Sequence, residues 1–305
     1  MVKPQEIELN KRGSIFSNDR SPIKRLYVED RKINFNLKDV ILLISKLRNV
    51  YKMPFTLKET EKLIKSDYPR NQKVISNNSF NELKKLIQHL DVDDYGYFEI
   101  TPERVFKGCA VPYKYALVFS SRMNFDSFKE APNLLCQLEV ARVYSITGDI
   151  ANKVSLFLQD KGFGASPNHS MGGQVDYSMA AEWAGIAVTG RHSMAMTRKN
   201  GSCHRISVVY TDIENLGDYI SNRNDDMLWI REFCQKCGKC IRTCPTGAIL
   251  NEPILYDGFN PSKIDYQKCC EGFMNYGCGV CIKECPFSKG RYEELKQAFM
   301  KINHR

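Results

Sequence analysis

The sequence predicts an α+β body followed by a small, cysteine-dense C-terminal domain. Three observations carry this reading. Stretches of helical period and stretches of β-type residues mix through residues 36–220. Nine of the twelve cysteines fall between Cys234 and Cys285, so a cysteine-poor body precedes the tail. Within that tail a Cys-Pro pair occurs twice, at Cys244-Pro245 and Cys285-Pro286, each at the end of a closely spaced cysteine run.

Residues 1 to about 34 are charged with few apolar periods and read as an extended arm. Leu37, Val40, Ile41, Ile44 and Leu47 recur at helical spacing. A second helix is expected from Thr56, with Glu59 completing a capping box, and a third from near Ser79, with Glu82 in the same role and Leu83, Leu86, Ile87 and Leu90 inward. Asp91 to Gly96 reads as a polar turn, while Phe98 to Val105 fits no single period. Tyr115 to Ser120 suits a buried strand. Leu134 to Tyr144 and Asp149 to Asp160 read as two helices, the second stopped by Gly162. Ala165 to Gly173 is expected to be a loop, Tyr177 to Ala184 a helix, Arg205 to Thr211 a strand and Arg291 to Ile302 an exposed terminal helix. The expected division is 1–100 (arm and helical region), 101–225 (core), 226–290 (cysteine domain) and 291–305 (terminal helix).

Apolar residues make up 43% of the 305, charged residues 26%, and mean hydropathy is -0.40. That composition describes a soluble globular chain, neither disordered nor membrane-spanning, since runs such as Val40 to Ile44 are far too short for a bilayer. No signal peptide or paired-Arg export signal is read near Met1, which places the protein in the cytoplasm. The net charge of +9 reflects a Lys-rich composition and would steer an acidic partner; without a basic block or recognisable motif, nucleic acid is not expected.

In the cytoplasm twelve cysteines argue for metal or redox chemistry rather than disulfides. Cys234-x2-Cys237-x2-Cys240-x3-Cys244-Pro245 is the signature of a [4Fe–4S] site: three thiolates on one tight loop reach three corners of a cubane, and the fourth serves the other cluster. Cys278-x2-Cys281-x3-Cys285-Pro286 is the partner run, with its first cysteine displaced upstream to Cys269 or Cys270, so that Glu271 to Gly277 must loop round. One cluster is expected on Cys234, Cys237, Cys240 and Cys285, the other on Cys244, Cys269, Cys278 and Cys281. Zinc ribbons need no interleaved Cys-Pro ends and are the lesser reading. Cys109, Cys136 and Cys203 read as buried structural thiols.

Two clusters form a short electron wire, and a wire needs a destination. The body shows no dinucleotide fingerprint or P-loop, and its His169, His192 and His204 are widely spaced. An organic cofactor held by backbone and shape is the remaining expectation.

The tail, CQKCGKCIRTCPTGAI … LYDGFN … DYQKCCEGFMNYGCGVCIKECPFSKG, resembles the C-terminal region of the corrinoid iron–sulfur reductive dehalogenases, and epoxyqueuosine reductase is a relative with a similar tail. In the body ARVYSITGDIANKVSLFLQDKGFGA and AAEWAGIAVTGRHSM resemble that superfamily too, so the resemblance covers roughly residues 100–290. It implies a nitroreductase-like α/β body holding cobalamin, with the loops Ser166 to Gly173 and Gly185 to Ser193 against the corrin. Gly172, Gly173, Gly185 and Gly190 would admit a flat ring, and His192 would be a hydrogen-bonding neighbour. Electrons would pass through both clusters to cobalt and on to an electrophilic small-molecule substrate. The resemblance makes Tyr144 the proton donor, with a basic residue close by, and puts Arg191 in the substrate pocket, with Asn168 or His169 filling the remaining polar place. It implies a low-potential donor such as ferredoxin or flavodoxin. No Asp-x-x-Pro segment precedes the Ala-Gly motif, where epoxyqueuosine reductases carry their acid, which points away from transfer RNA. An electron-transfer or corrinoid-reactivating protein, and a flavin-binding body, are the alternatives.

Overall fold

The computed structural model describes residues 4–24, 37–170, 172–221, 225–255, 261–276 and 278–303. In chain order the elements are α1 (Pro4–Lys11), β1 (Ile15–Phe16), α2 (Leu37–Lys65), α3 (Asn77–Gln88), β2 (Asp94–Glu99), β3 (Ala110–Val111), β4 (Tyr115–Arg122), α4 (Leu134–Asp160), β5 (Ala165–Asn168), α5 (Tyr177–Trp183), β6 (Ala187–Thr189), β7 (Ala195–Thr197), β8 (His204–Thr211), α6 (Trp229–Cys237), α7 (Lys239–Arg242), β9 (Ile249–Leu255), β10 (Pro261–Ile264), α8 (Tyr266–Tyr276), α9 (Val280–Glu284) and α10 (Tyr292–Asn303).

The central sheet has the order β2-β4-β8-β5 and is antiparallel throughout. Both faces are buried, which is why its two middle strands read as continuous apolar runs. Leu117, Phe119 and Val209 face α4 through Ile150, Ala151, Val154 and Leu158. Ala116, Val118, Val208 and Tyr210 face the opposite layer, where α5 brings Ala180, Ala181 and Ala184. Those small residues let the helix sit close: a Cβ on Gly96 would overlap the Ala184 carbonyl. The result is an α/β/α body with antiparallel pairing, hence α+β.

Several expectations change. The breaks foreseen at Thr56 and after Tyr144 do not occur. α2 runs through Pro54, and Thr56 Oγ1 donates to the Met53 carbonyl rather than capping a helix. α4 is one helix of 27 residues, because Gly148 in its middle is a packing glycine: a Cβ there would overlap the His169 ring. Tertiary packing overrides the local break signals. α3 starts earlier than expected, since Ser76 caps it by accepting from the Ser79 N–H at 3.2 Å. Asp94 to Gly96 belong to β2, and Ala165 to Asn168 to the edge strand β5, which Pro167 tolerates. Gly162 ends α4 with φ +81°, as its type demands. The arm is helical over α1, and its residues 25–34 lie outside the described set, as does His304.

The tail docks on the body at two places. α9 packs Ile282 against Phe128, Cys136, Val140 and Val143, with Tyr144, Met194, Val280 and Cys281 at the margin. Cys285, Phe287, Tyr292 and Ile230 pack against Val188 and Met196 of the β6–β7 hairpin. Around Trp229 the rings of Phe233, Phe287, Tyr292 and Phe299 form an aromatic cage, with Trp229 Nε1 donating to Tyr292 Oη at 3.1 Å. α10 thereby covers the tail. Among the described residues no helix is long and apolar enough to cross a membrane.

Candidate functional site

The two cysteine runs fold alike. Cys237-Gly238-Lys239-Cys240 and Cys278-Gly279-Val280-Cys281 each turn on a left-handed glycine, with φ +53° at Gly238 and +59° at Gly279. Each glycine caps the start of a short helix, α7 or α9, so the thiols on either side are turned to one side. Gly279 also allows a close approach, since a Cβ would lie 2.7 Å from Phe128 Cδ1.

Electrostatic proximity sorts the eight thiols into two fours. Cys234 is within reach of Cys285, Cys240 and Cys237. Cys269 is within reach of Cys278 and Cys244, and Cys281 of Cys269, Cys278, Cys240 and Cys244. The groups meet at Cys240 and Cys281. Cys269 and Cys270 both lie on α8, which is helical where a loop was foreseen over the described part of Glu271 to Gly277; the helix itself carries Cys269 to the second group.

The environment fits metal-bound thiolates. Burial pushes the Cys234 thiol up to about 12, and Cys240 and Cys269 up to about 11. It also raises Cys278, Cys281 and Cys285. A thiolate buried so needs a cation beside it, and cluster iron supplies one. At Cys244 burial works upward too, but N–H groups of Ile249, Thr246 and Ala248 outweigh it and leave the thiol below its ordinary value. The Ala248 N–H donates to its sulfur at 3.3 Å. Among the described residues no three His, Cys, Asp or Glu side chains close round one point as a single ion would require.

The predicted body residues are dispersed. Arg191 is turned to the tail: its guanidinium donates to the Asn251 carbonyl of β9, and its backbone N–H faces the Cys234 sulfur. The cation over the Tyr144 ring is instead Arg205, 5.6 Å from the centroid, a residue that sequence reasoning passed over because it sits inside a β-run. Tyr144 is half-buried in the same side-chain cluster as Cys281. His192 is buried with Nδ1 accepting from the Met194 N–H at 3.2 Å, and Nε2 has no partner. Burial, with Lys263 and His204 adding to it, pushes His192 down to about 4, so it is neutral.

The loops expected against a macrocycle are filled by the chain itself. Asn168 is buried; its amide donates to Gln174 and, at 2.9 Å, to Tyr210 Oη, and its carbonyl accepts from Tyr177. His169 is buried on Gly148, with Nε2 3.1 Å from Thr56 Oγ1. Ser166 is buried in β5 opposite Tyr210, and Gly172 closes a turn on the His169 carbonyl. A Cβ on Gly173 would meet the Tyr177 ring at 2.6 Å, and one on Gly190 would meet His192 at 2.9 Å. Gly185 ends α5 with φ +73°, and Ser193 takes a positive φ, +56°. In this structure the described glycines of these loops are packed against the chain's own side chains. A cleft of about 790 Å³ lies elsewhere, bordered by Met123, Arg142, Ile146, Asn200, Cys203 and Ser288.

A 4Fe-4S binding domain matches residues 227–250. The tetrachloroethene reductive dehalogenase of Desulfitobacterium hafniense is 26% identical over 228 residues, 68% of this chain and 39% of that protein. Epoxyqueuosine reductase of Bacillus subtilis is 27% identical over 136 residues, 39% of this chain and 31% of that protein. The chain therefore spans well under half the length of the curated relatives it matches. A catabolic reductive dehalogenase solved with 3-bromo-4-hydroxybenzoic acid superposes with TM-score 0.68 at 19% identity, over 82% of this chain and 38% of that one. A reductive dehalogenase described as performing B12-dependent dehalogenation gives TM-score 0.64 at 20% identity, over 76% and 35%. In sequence the chain is similar to the reductive dehalogenases and, over a shorter stretch, to epoxyqueuosine reductase; it shares the fold of solved reductive dehalogenases and carries a four-iron, four-sulfur binding domain in its tail.

Proposed function

We propose that the chain is a two-cluster iron–sulfur reductase of the reductive-dehalogenase type, moving electrons from a low-potential donor such as ferredoxin or flavodoxin toward an electrophilic small molecule. The observation that carries this reading is the proximity of eight thiols in two interleaved fours that meet at Cys240 and Cys281. Cys244 and Cys285 each follow one run and serve the other group, so the clusters are held side by side, as a short wire requires. Likeness to a B12-dependent dehalogenase supports a corrinoid as the cofactor, which would supply the reducing chemistry.

What the chain itself offers is a proton and its control. Tyr144 packs in the side-chain cluster that includes Cys281 of the second thiol group, and Arg205 lays a guanidinium over its ring; the reading makes this phenol the proton donor. Tyr177 packed against Gly173 and His192 against Gly190 favour a second reading, an electron relay without its own substrate.

Anaerobic expression with cobalamin separates the two. The reductase reading expects about eight irons per chain, a retained corrin absorption band, and turnover of an electrophilic halide that drops about a hundredfold in Tyr144→Phe with iron content unchanged. Full iron with no corrin retained leaves only the relay. Iron near four, or none, overturns both.

A further inference from the structure

We propose that Lys263 is the counter-ion of the first cluster, the one on Cys234, and holds it at a higher reduction potential than the second. This deepens the two-cluster reading, on which it rests, by ordering the wire.

Lys263 is a stranded charge. It lies on β10 between Ser262 and Ile264, both buried, and is itself half-buried. Its ammonium makes no hydrogen bond and no ion pair among the described residues. A partly buried cation is costly to leave so, and it is screened less than one in open water. The acid within reach, Glu182, is already engaged: it accepts from the Arg231 guanidinium at 2.5 Å and from the Thr189 N–H. Arg231 and Arg191 also face Lys263, so cations outnumber that acid. The ammonium faces one more group, the Cys234 sulfur.

The fold ties these groups together. Arg231 lies three residues before Cys234 on α6, and its bond to Glu182 anchors that helix to α5. The Arg191 guanidinium donates to the Asn251 carbonyl of β9, the strand paired with β10. Lys263 is thereby kept beside the first thiol group.

Four thiolates round a cubane make an anion, and its negative charge grows when an electron enters. That anion is the partner the ammonium lacks. A cation favours the reduced form more than the oxidised one, which raises the potential.

The second group meets the opposite sign. Two residues on, Asp265 caps α8: its Oδ1 accepts from the Lys268 N–H at 3.2 Å and its carbonyl from the Cys269 N–H at 3.0 Å. This carboxylate faces the Cys269 thiol. Lys268 Nζ is exposed and reaches it at 3.7 Å, a loose and screened pair. One short stretch of chain thus sets a cation on the first group and an anion on the second. An electron from the donor rests on the first cluster and leaves by the more reducing second, whose Cys281 shares a side-chain cluster with Tyr144.

The test is an anaerobic dithionite titration of cluster-loaded, full-length protein, followed by electron paramagnetic resonance; the reductant gives up one electron for each cluster reduced. The wild type should show two one-electron steps. A unit charge about 10 Å away, at an effective dielectric of about 20, changes such an equilibrium about tenfold. Lys263→Gln should therefore lower the upper step by about 59 mV, the equivalent of tenfold, and leave the lower step in place. Lys263→Arg keeps the charge and should keep the wild-type value. Asp265→Asn keeps the cap and should raise the lower step. An upper step unmoved by Lys263→Gln, moved equally by Lys263→Arg, or raised by Asp265→Asn in place of the lower one overturns the proposal. Iron per chain, measured on the same samples, scores the two-cluster reading separately. About four irons with a single step that falls in Lys263→Gln refutes that reading and keeps the counter-ion; a single step that ignores Lys263 overturns both.

Discussion

Substituting Gly279 by Ala tests whether the second cysteine turn depends on its left-handed residue and on the contact it permits. Gly238, Gly247 and Gly279 of the tail, like Gly290, lie in that backbone region, with φ +53°, +64° and +59°. An added Cβ costs each about 1–2 kcal/mol of conformational strain. Their surroundings differ. At Gly247 nothing lies within 4 Å of the new carbon. At Gly238 the nearest atom is Arg242 Nη1 at 3.0 Å, the free end of a flexible side chain. At Gly279 the new carbon would sit 2.7 and 3.0 Å from two atoms of the Phe128 ring, which is fully buried. Overpacking there adds about 1–3 kcal/mol. Gly279→Ala should therefore cost about 2–5 kcal/mol, and Gly247→Ala and Gly238→Ala about 1–2 kcal/mol. Urea midpoints of the three anaerobic variants, with iron per chain measured on each, give the ranking directly. If Gly279→Ala is no more harmful than Gly247→Ala, the packing of α9 against Phe128 is wrong, and with it the docking of the second thiol group on α4.

Gly148→Ala places a carbon into the His169 ring and should destabilise by about 1–3 kcal/mol, with loss of the Thr56 contact followed by the His169 ring resonances. Phe299→Ala opens the cage round Trp229 and should cost about 3 kcal/mol and quicken aerobic bleaching of the cluster absorption; unchanged bleaching would show that α10 gives no cover. Burial chiefly pushes His204 from 6.5 down to about 4, so between those values the unfolded chain binds a proton that the folded chain refuses. Stability should fall as pH drops through that window, by up to roughly 3 kcal/mol, and His204→Gln should flatten the slope; identical slopes would remove His204 from the acid response.

Legibility followed the reach of the signals. The first cysteine run, local and dictated by cluster geometry, was readable as an iron–sulfur motif, and a 4Fe-4S binding domain matches there. Buried strands were readable because β4 and β8 are apolar on both faces. The helix breaks were misread since their causes are distant: Gly148 answers to His169, twenty-one places on, and Thr56 to the same ring. The partner of Tyr144 was missed for the same reason, since Arg205 comes over the ring only when β8 is laid against α4. The corrin loops were inferred from resemblance, and a glycine cannot announce whether a ligand or a neighbouring ring such as Tyr177 will occupy the room it leaves.

The unbroken span of α4 has a mechanical meaning. At about 1.5 Å per residue its 27 residues make a rod of roughly 40 Å. Near one end Cys136 sits against the turn at Gly279, midway Thr147 and Gly148 seat the 169–170 corner, and near the other end Gln159 holds the Ala165 carbonyl at 2.8 Å. Any shift of the metal-bearing tail against this lever is felt along the whole body at once, so a breathing motion must move the shaft bodily or leave the far side still.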